Sequence, residues 1–145
     1  MRVIFRCMVL VSKNKNQYTL RFGYKENFLE KFREFLASKK IRSGWFWGLG
    51  AVIDPELSYY DLKKEKYLNK KFKGKFEVVS LIGNMAYLNK ELILHPHIVL
   101  SGRNYKAIGG HLSGGRVAGT LELFLDTGQN FKRKLDHVTG LNLLA

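Results

Sequence analysis

A single segment of this chain has the apolar spacing of a helix, and most of the remaining segments have the composition of strands. The apolar residues of that segment recur every three or four positions: Phe28, Leu29, Phe32, Phe35 and Leu36. Charged residues occupy the opposite side, and Asn27 can cap the start of the helix. One helix among many strands predicts an α+β domain.

The strand-like segments are spread along the whole chain. Residues 3–11 and 18–22 flank a polar turn and predict a β-hairpin. Further strands are predicted at 45–53, 57–62, 76–88, 91–101, 106–112, 116–125 and 131–135. Two glycines in 45–53 predict a bulge or a close backbone approach there. We therefore expect residues 1–145 to form one domain with a mostly antiparallel or mixed sheet packed against one main helix.

The charge of the chain favours an anionic partner. With 25 Lys and Arg against 12 Asp and Glu, the net charge is +13, which favours nucleic acid first. A basic chain can also simply carry a solvated charged face, so charge alone leaves both interpretations open. No apolar stretch approaches the ~18 residues of a spanning helix, and no signal peptide is evident, so we expect a cytoplasmic protein without membrane contact. The lone cysteine, Cys7, lies in an apolar run and is expected to be buried.

Three of the four histidines lie within seventeen residues of one another. His95 and His97 would point to the same face of a strand, because strand side chains alternate. If the next strand pairs as a hairpin, His111 lands beside them. Three imidazole nitrogens with an open fourth position are a zinc site, or a site for another divalent metal. Histidines that bind nothing and serve as polar core residues are the competing interpretation.

Two pairs of residues are candidates to support such a site. Thr120 and Glu122, on the following strand, are expected to contact the ligating histidines. Arg21 and Arg116 are candidates to hold an anionic substrate beside a metal ion.

A basic run between residues 63 and 75 is the second candidate binding feature. It contains seven lysines: Lys63, Lys64, Lys66, Lys70, Lys71, Lys73 and Lys75. Lysines can neutralise phosphates, and the interleaved Tyr67 and Phe72 could stack on bases. The alternative is a solvated hairpin whose two aromatic residues are anchored in the core.

Several segments, in the same order, resemble the plant- and prokaryote-conserved (PPC) domain family. They are residues 44–51, 74–80, 83–84, 95–97, 109–117, 133–136 and 139–141, together with Thr120 and Glu122. The similarity extends from about residue 21 to the C-terminus. It implies a compact domain that forms a homotrimer.

The resemblance also implies partners. In plants this domain accompanies AT-hook segments in nuclear DNA-binding proteins and contacts transcription factors, and a matching interaction motif consists of Gly74, Lys75, Phe76, Glu77, Val78 and Val79. The sequence contains no Arg-Gly-Arg-Pro hook, so it looks like the stand-alone prokaryotic form. DNA binding must then depend on the basic charge.

The fold implied by the resemblance is also similar to that of acetolactate decarboxylase, whose zinc is held by a His-x-His pair and a third histidine. His95, His97 and His111 match that layout in outline. We expect a trimeric, DNA-associated binding or regulatory protein with a three-histidine metal site. The alternatives are a zinc-dependent enzyme for a small anionic substrate, in which only Glu122 is an evident general base, and a purely structural trimer.

Overall fold

A computed structural model gives the fold of residues 7–145, the part of the chain described below. Its elements in chain order are β1 (Val9–Asn14), β2 (Gln17–Phe22), α1 (Phe28–Ser38), β3 (Ser43–Asp61), β4 (Lys66–Lys71), β5 (Lys75–Leu88), β6 (Glu91–Ser101), β7 (Ala107–Asp126), β8 (Arg133–Leu135) and β9 (Asn142–Leu144). The α+β fold expected from the sequence is confirmed. Within residues 7–145, no helix has both the length and the apolar character needed to cross a membrane.

The main sheet is antiparallel and partly closed. Its seven strands follow the order β1-β2-β7-β6-β5-β3-β4, and an additional pairing joins β7 to β3. This pairing closes β3, β5, β6 and β7 into a ring. The predicted hairpin of the first two strands is confirmed, with Asn14 opposite Gln17.

Two of the predicted chain breaks are replaced by irregular but continuous strands. β3 runs through Asp54, whose φ is +49°, and stays paired with β7 on both sides of it. β7 likewise runs through Gly114 and Gly115. The predicted bulge is confirmed as a register shift between Gly48 and Gly50. Bulges bend a strand without ending it, and the long paired strands are what allow the ring to close.

The core lies on the face of the sheet that packs against α1. Asn27 caps the helix by accepting a hydrogen bond from the backbone N–H of Glu30 at 3.2 Å. The buried stripe of α1 meets the sheet at Phe32, whose ring centroid lies 5.0 Å from that of Phe46 in an edge-to-face arrangement. Both rings are fully buried, so this contact fixes the helix on the sheet.

The opposite face of the sheet is covered only in part. β8 and β9 form a separate two-stranded sheet, instead of extending the main one as predicted, and β8 lies against β5. Away from this segment, Trp47 and Ile82 remain 47% and 52% exposed. This face therefore has a covered end near β8 and an uncovered apolar end.

The prediction for Cys7 was wrong, because its side chain is exposed. It precedes β1, whose side chains are all exposed and whose one neighbour among the described strands is β2. Residues 3–6 of the same apolar run lie outside the described residues.

Candidate metal centre

Two neighbouring strands, β6 and β7, bring the three histidines together. β6 and β7 form a hairpin in which His97 lies directly opposite His111. His95 is two residues before His97 on β6, and its cross-strand partner on β5 is Asn84. Because cross-strand partners share a face, all three imidazoles project from the side of the sheet opposite α1. The predicted hairpin is what makes this convergence possible.

The imidazoles are close enough to share one ion. The Nε2 atoms of His95 and His97 are 3.1 Å apart, and one ring nitrogen from each of the three histidines lies within 4.8 Å of the others. Zinc–nitrogen bonds of about 2.0–2.1 Å in a tetrahedron place ligand nitrogens about 3.4 Å apart. The observed spacings bracket that value, so small side-chain adjustments suffice.

Burial in the cluster favours the neutral form of His95 and His111. Burial lowers the pKa of His111 to about 4, with smaller contributions from His95 and His97. Burial also lowers the pKa of His95, followed by the effects of His97 and Arg133. Neutral imidazole is the form that ligates metals. Among the described residues, Nδ1 of His111 is buried and has no hydrogen-bond partner.

The donor set fits a borderline transition metal. Within the described chain, the cluster that could hold an ion consists of imidazoles alone, without a carboxylate. Imidazole suits zinc, copper, iron and nickel, whereas magnesium and calcium prefer oxygen ligands. The three residues therefore fit zinc or a similar ion.

A cavity of about 600 Å³ lies next to the cluster. His95 and His111 form part of its wall, and Tyr60 and Tyr67 form another part. The ring centroid of Tyr67 lies 5.3 Å from that of His111. Residues 140–144 of the C-terminal segment close a further side. The segment that covers one end of the sheet face thus turns an open cluster into a pocket.

Two cationic side chains line this cavity, Lys66 on β4 and the buried Arg133 on β8. The Arg133 side chain is 8% exposed and donates hydrogen bonds to the backbone oxygen of Asn142, at 2.7 Å, and to Oδ1 of the buried Asn84. The sequence pattern predicted no role for Arg133 or Asn84, although both residues lie in segments that resemble the PPC family. The available signal was the period of two in a strand, which places Arg133 on the same side as Phe131 and Leu135.

The residues expected to support the histidines lie elsewhere. Thr120 and Glu122 are nine and eleven positions beyond His111 on the same strand, about 30 Å and about 36 Å along it at the usual rise. Glu122 pairs instead with Arg21 on β2. A guanidinium nitrogen of Arg116 lies 3.8 Å from a carboxylate oxygen of Asp54. None of these four residues lines the histidine cavity, so the structure does not bring them together with the three histidines.

The basic run forms an exposed strand and its flanking turns. All six residues of β4 are exposed. Three of the seven lysines have carboxylate neighbours: Lys64 with Asp61, Lys71 with Glu56, and Lys75 with Glu77. Among the described residues, Lys63, Lys66, Lys70 and Lys73 form no ion pair. Of the two aromatic residues, Phe72 packs against the core, whereas Tyr67 stays 45% exposed.

The segment matching the partner motif begins just before β5 and extends into it. Gly74 has a φ of +102°, and a Cβ there would meet no atom within 4 Å. Val78 is buried, while Val79 is 61% exposed at an irregularity between β5 and β6. The segment therefore presents alternate side chains to solvent.

Comparisons with known families and structures agree with this fold. The model of the Plants and Prokaryotes Conserved (PCC) domain matches residues 10–128. Comparison with curated proteins gives no match.

Three solved structures illustrate the likeness. A candidate DNA-binding protein from Bacteroides thetaiotaomicron is 26% identical, with a TM-score of 0.89 over 97% of this chain and 98% of its own. A plant- and prokaryote-conserved protein from Pyrococcus horikoshii is 28% identical, with a TM-score of 0.82 over 95% and 94%. A metal-containing protein from Archaeoglobus fulgidus is 29% identical, with a TM-score of 0.81 over 94% and 98%.

Proposed function

Because this chain belongs to the Plants and Prokaryotes Conserved domain family, we propose that it is a homotrimeric regulatory module that binds zinc and contacts DNA. The observation that carries the proposal is the convergence of His95, His97 and His111 within 4.8 Å. A metal-containing protein among the similar structures supports it. A bound zinc ion would supply Lewis acidity in the adjoining cavity.

We expect tag-free protein to contain close to one zinc ion per chain, and His97→Ala to lose it. His97 is exposed, so its removal leaves the core intact while deleting one of three ligands. Loss of an outer partner of a ligand already weakens metal binding 10–100-fold, so loss of a ligand should weaken it by more than about a hundredfold. Elemental analysis and competitive chelator titration measure both quantities.

His137→Ala is the matched control, because His137 is exposed and lies outside the cluster. It should retain zinc at the wild-type level. Wild-type protein that takes up no zinc when the ion is offered, or His97→Ala that keeps it, would contradict the metal assignment.

The proposed trimer is supported by the uncovered apolar end of the sheet face. Trp47, Ile82 and His97 are successive cross-strand partners on β3, β5 and β6, and all three are exposed. Val99, two residues beyond His97, adds a side chain that is 41% exposed. Contiguous exposed apolar residues of this kind mark interaction surfaces. A neighbouring copy on this surface would border the histidine cluster.

Contact with DNA is supported by the exposed lysines of β4 and its flanks. The net charge of +13 favours any polyanion, and a similar structure is that of a candidate DNA-binding protein. Tyr67 connects this strand to the metal centre through its packing against His111. Nucleic acid bound along β4 would therefore lie next to the histidines.

Replacing Lys70, Lys71 and Lys73 with glutamine should weaken binding to duplex DNA and flatten its salt dependence. Each lost phosphate contact lowers the log–log salt slope by about 0.9, so the triple variant should lose up to about 3 in slope. Fluorescence anisotropy at several salt concentrations measures the slope.

A variant with Lys39, Lys90 and Lys106 replaced by glutamine removes the same charge from exposed positions on other elements. Its binding to duplex DNA should keep most of the wild-type salt dependence. Equal slopes in wild type and the β4 variant would remove this strand from the DNA interface.

A further inference from the structure

Arg133 is a buried cation that has no counter-ion among residues 7–145. Its side chain is 8% exposed, and no carboxylate among the described residues forms an ion pair with it. Its hydrogen-bond acceptors, Asn84 and the backbone of Asn142, are both neutral. Buried charges in proteins are normally paired, because an unpaired charge loses its hydration without compensation. The environment of Arg133 therefore lacks one negative charge.

The guanidinium also has donors to spare. It carries five N–H groups, of which the structure engages two, and its buried Nε has no partner among the described residues. Adjacent guanidinium donors match the two oxygens of a carboxylate in a bidentate arrangement. Asn84 and Asn142 hold the group in place, so it is oriented before any ligand arrives.

The cavity has the size and lining of a site for a small organic acid. Arg133, His95 and His111 form polar parts of its wall, and Leu94 and Leu141 are apolar parts. Its volume of about 600 Å³ lies within the range of small-molecule pockets. Glu65 is the single carboxylate on its lining, and that side chain is exposed and not paired with Arg133. An anion reaching Arg133 would thus enter a region without buried negative charge.

We propose that Arg133 anchors a small organic carboxylate in the cavity beside the three histidines. The anchoring depends on Arg133, which Asn84 and Asn142 orient, and Lys66 on the cavity wall adds positive charge. It rests on the proposed function only in that a metal ion on the histidines would add further positive charge to the same cavity. The carboxylate end would face Arg133, and the organic end would contact the apolar wall. The site then serves a ligand or a substrate of a few carbon atoms.

The test is calorimetric titration of the full chain, zinc-loaded and zinc-free, with acetate, pyruvate, lactate, oxalate and succinate. We expect at least one of these acids to bind. Arg133→Gln should weaken that binding roughly tenfold to a hundredfold, because charge-assisted hydrogen bonds are lost. Arg133→Lys keeps the positive charge but lacks the paired N–H donors of a guanidinium, so its affinity should lie between those of wild type and Arg133→Gln. Arg103→Gln, at an exposed arginine in the β6–β7 turn, should bind as wild type does.

A measurement on wild-type protein guards against a variant that fails to fold. The Nε–H resonance of Arg133 should shift during titration with the acid that binds, as followed by nitrogen-15 NMR. The proposal is overturned if none of the five acids binds, if the resonance does not move, or if inorganic phosphate binds through Arg133 while the carboxylates do not. Zinc binding without acid binding would overturn this inference alone, whereas acid binding without zinc would overturn only the metal assignment.

Discussion

Gly50→Ala should destabilise the protein by about 3–5 kcal/mol, near the upper end for a single substitution. Gly50 lies at the bulge of β3 with a φ of +149°, where side chains are strained. A Cβ there would overlap the carbonyl oxygen of Thr120 and lie 2.7 Å from Cα of Leu121. Both atoms belong to the backbone of β7, so relief requires breaking the pairing that closes the ring. Urea unfolding with chelator present, at one fixed protein concentration, measures the change in the free energy of unfolding.

Two glycines of β7, Gly119 and Gly114, separate backbone strain from steric overlap as the cause of this destabilisation. Gly119 has a φ of +91° and open space around the position of a Cβ, so Gly119→Ala should cost only the backbone strain, about 1–2 kcal/mol. At Gly114 the φ is unremarkable and a Cβ would make only an ordinary 3.5 Å contact with Glu56, so Gly114→Ala should stay within about 0.5 kcal/mol of wild type. If Gly50→Ala were no worse than Gly119→Ala, the close approach of β3 and β7 would be refuted.

Trp47→Glu should convert the proposed trimer into a folded monomer. Trp47 is 47% exposed in the uncovered apolar end of the sheet face, beside Ile82 at 52%. A carboxylate placed there in every copy would have to be desolvated without a partner on association. Light scattering should give about three times the chain mass of 16.7 kDa for wild type and a single chain mass for the variant.

Tyr105→Glu is the control for this prediction. Tyr105 is 90% exposed in the turn between β6 and β7, so a charge there should leave the oligomer unchanged. A wild-type protein that runs as a monomer would contradict the proposed trimer. A Trp47→Glu variant that remains trimeric would place the interface on another surface.

Local patterns in the sequence were sufficient for the fold class and for the histidine cluster. The stripe of α1 is a property of eleven consecutive residues, and the convergence of His97 with His111 needs only one hairpin. The helix depends on short-range periodicity and the histidine pair depends on one turn of a few residues. Both signals can be read from the order of neighbouring residues in the sequence.

Features that depend on long-range contact were not predictable in this way. Arg133 reaches Asn84 across 49 positions of the chain. The strand that carries Arg133 was predicted, but its pairing with β9 in a separate sheet cannot be read from the pattern of either strand. Thr120 and Glu122 were expected on a separate strand that follows the one carrying His111. In the structure, all three residues lie on the single strand β7, which continues through Gly114 and Gly115. Glycines mark either a turn or a bulge, and only the pairing partner decides which.

The position of β4 gives its lysines a consequence that needs no nucleic acid. Among the described strands, β4 is the last in the order of the main sheet, so one of its edges offers unpaired backbone groups. Such an edge is a template on which a strand from another molecule could add, and lysine side chains along it oppose that addition by mutual repulsion and hydration. Self-aggregation by strand addition at this edge is therefore opposed by Lys66, Lys70 and Lys71. A variant with every lysine of the run neutralised would lose solubility before it lost its fold.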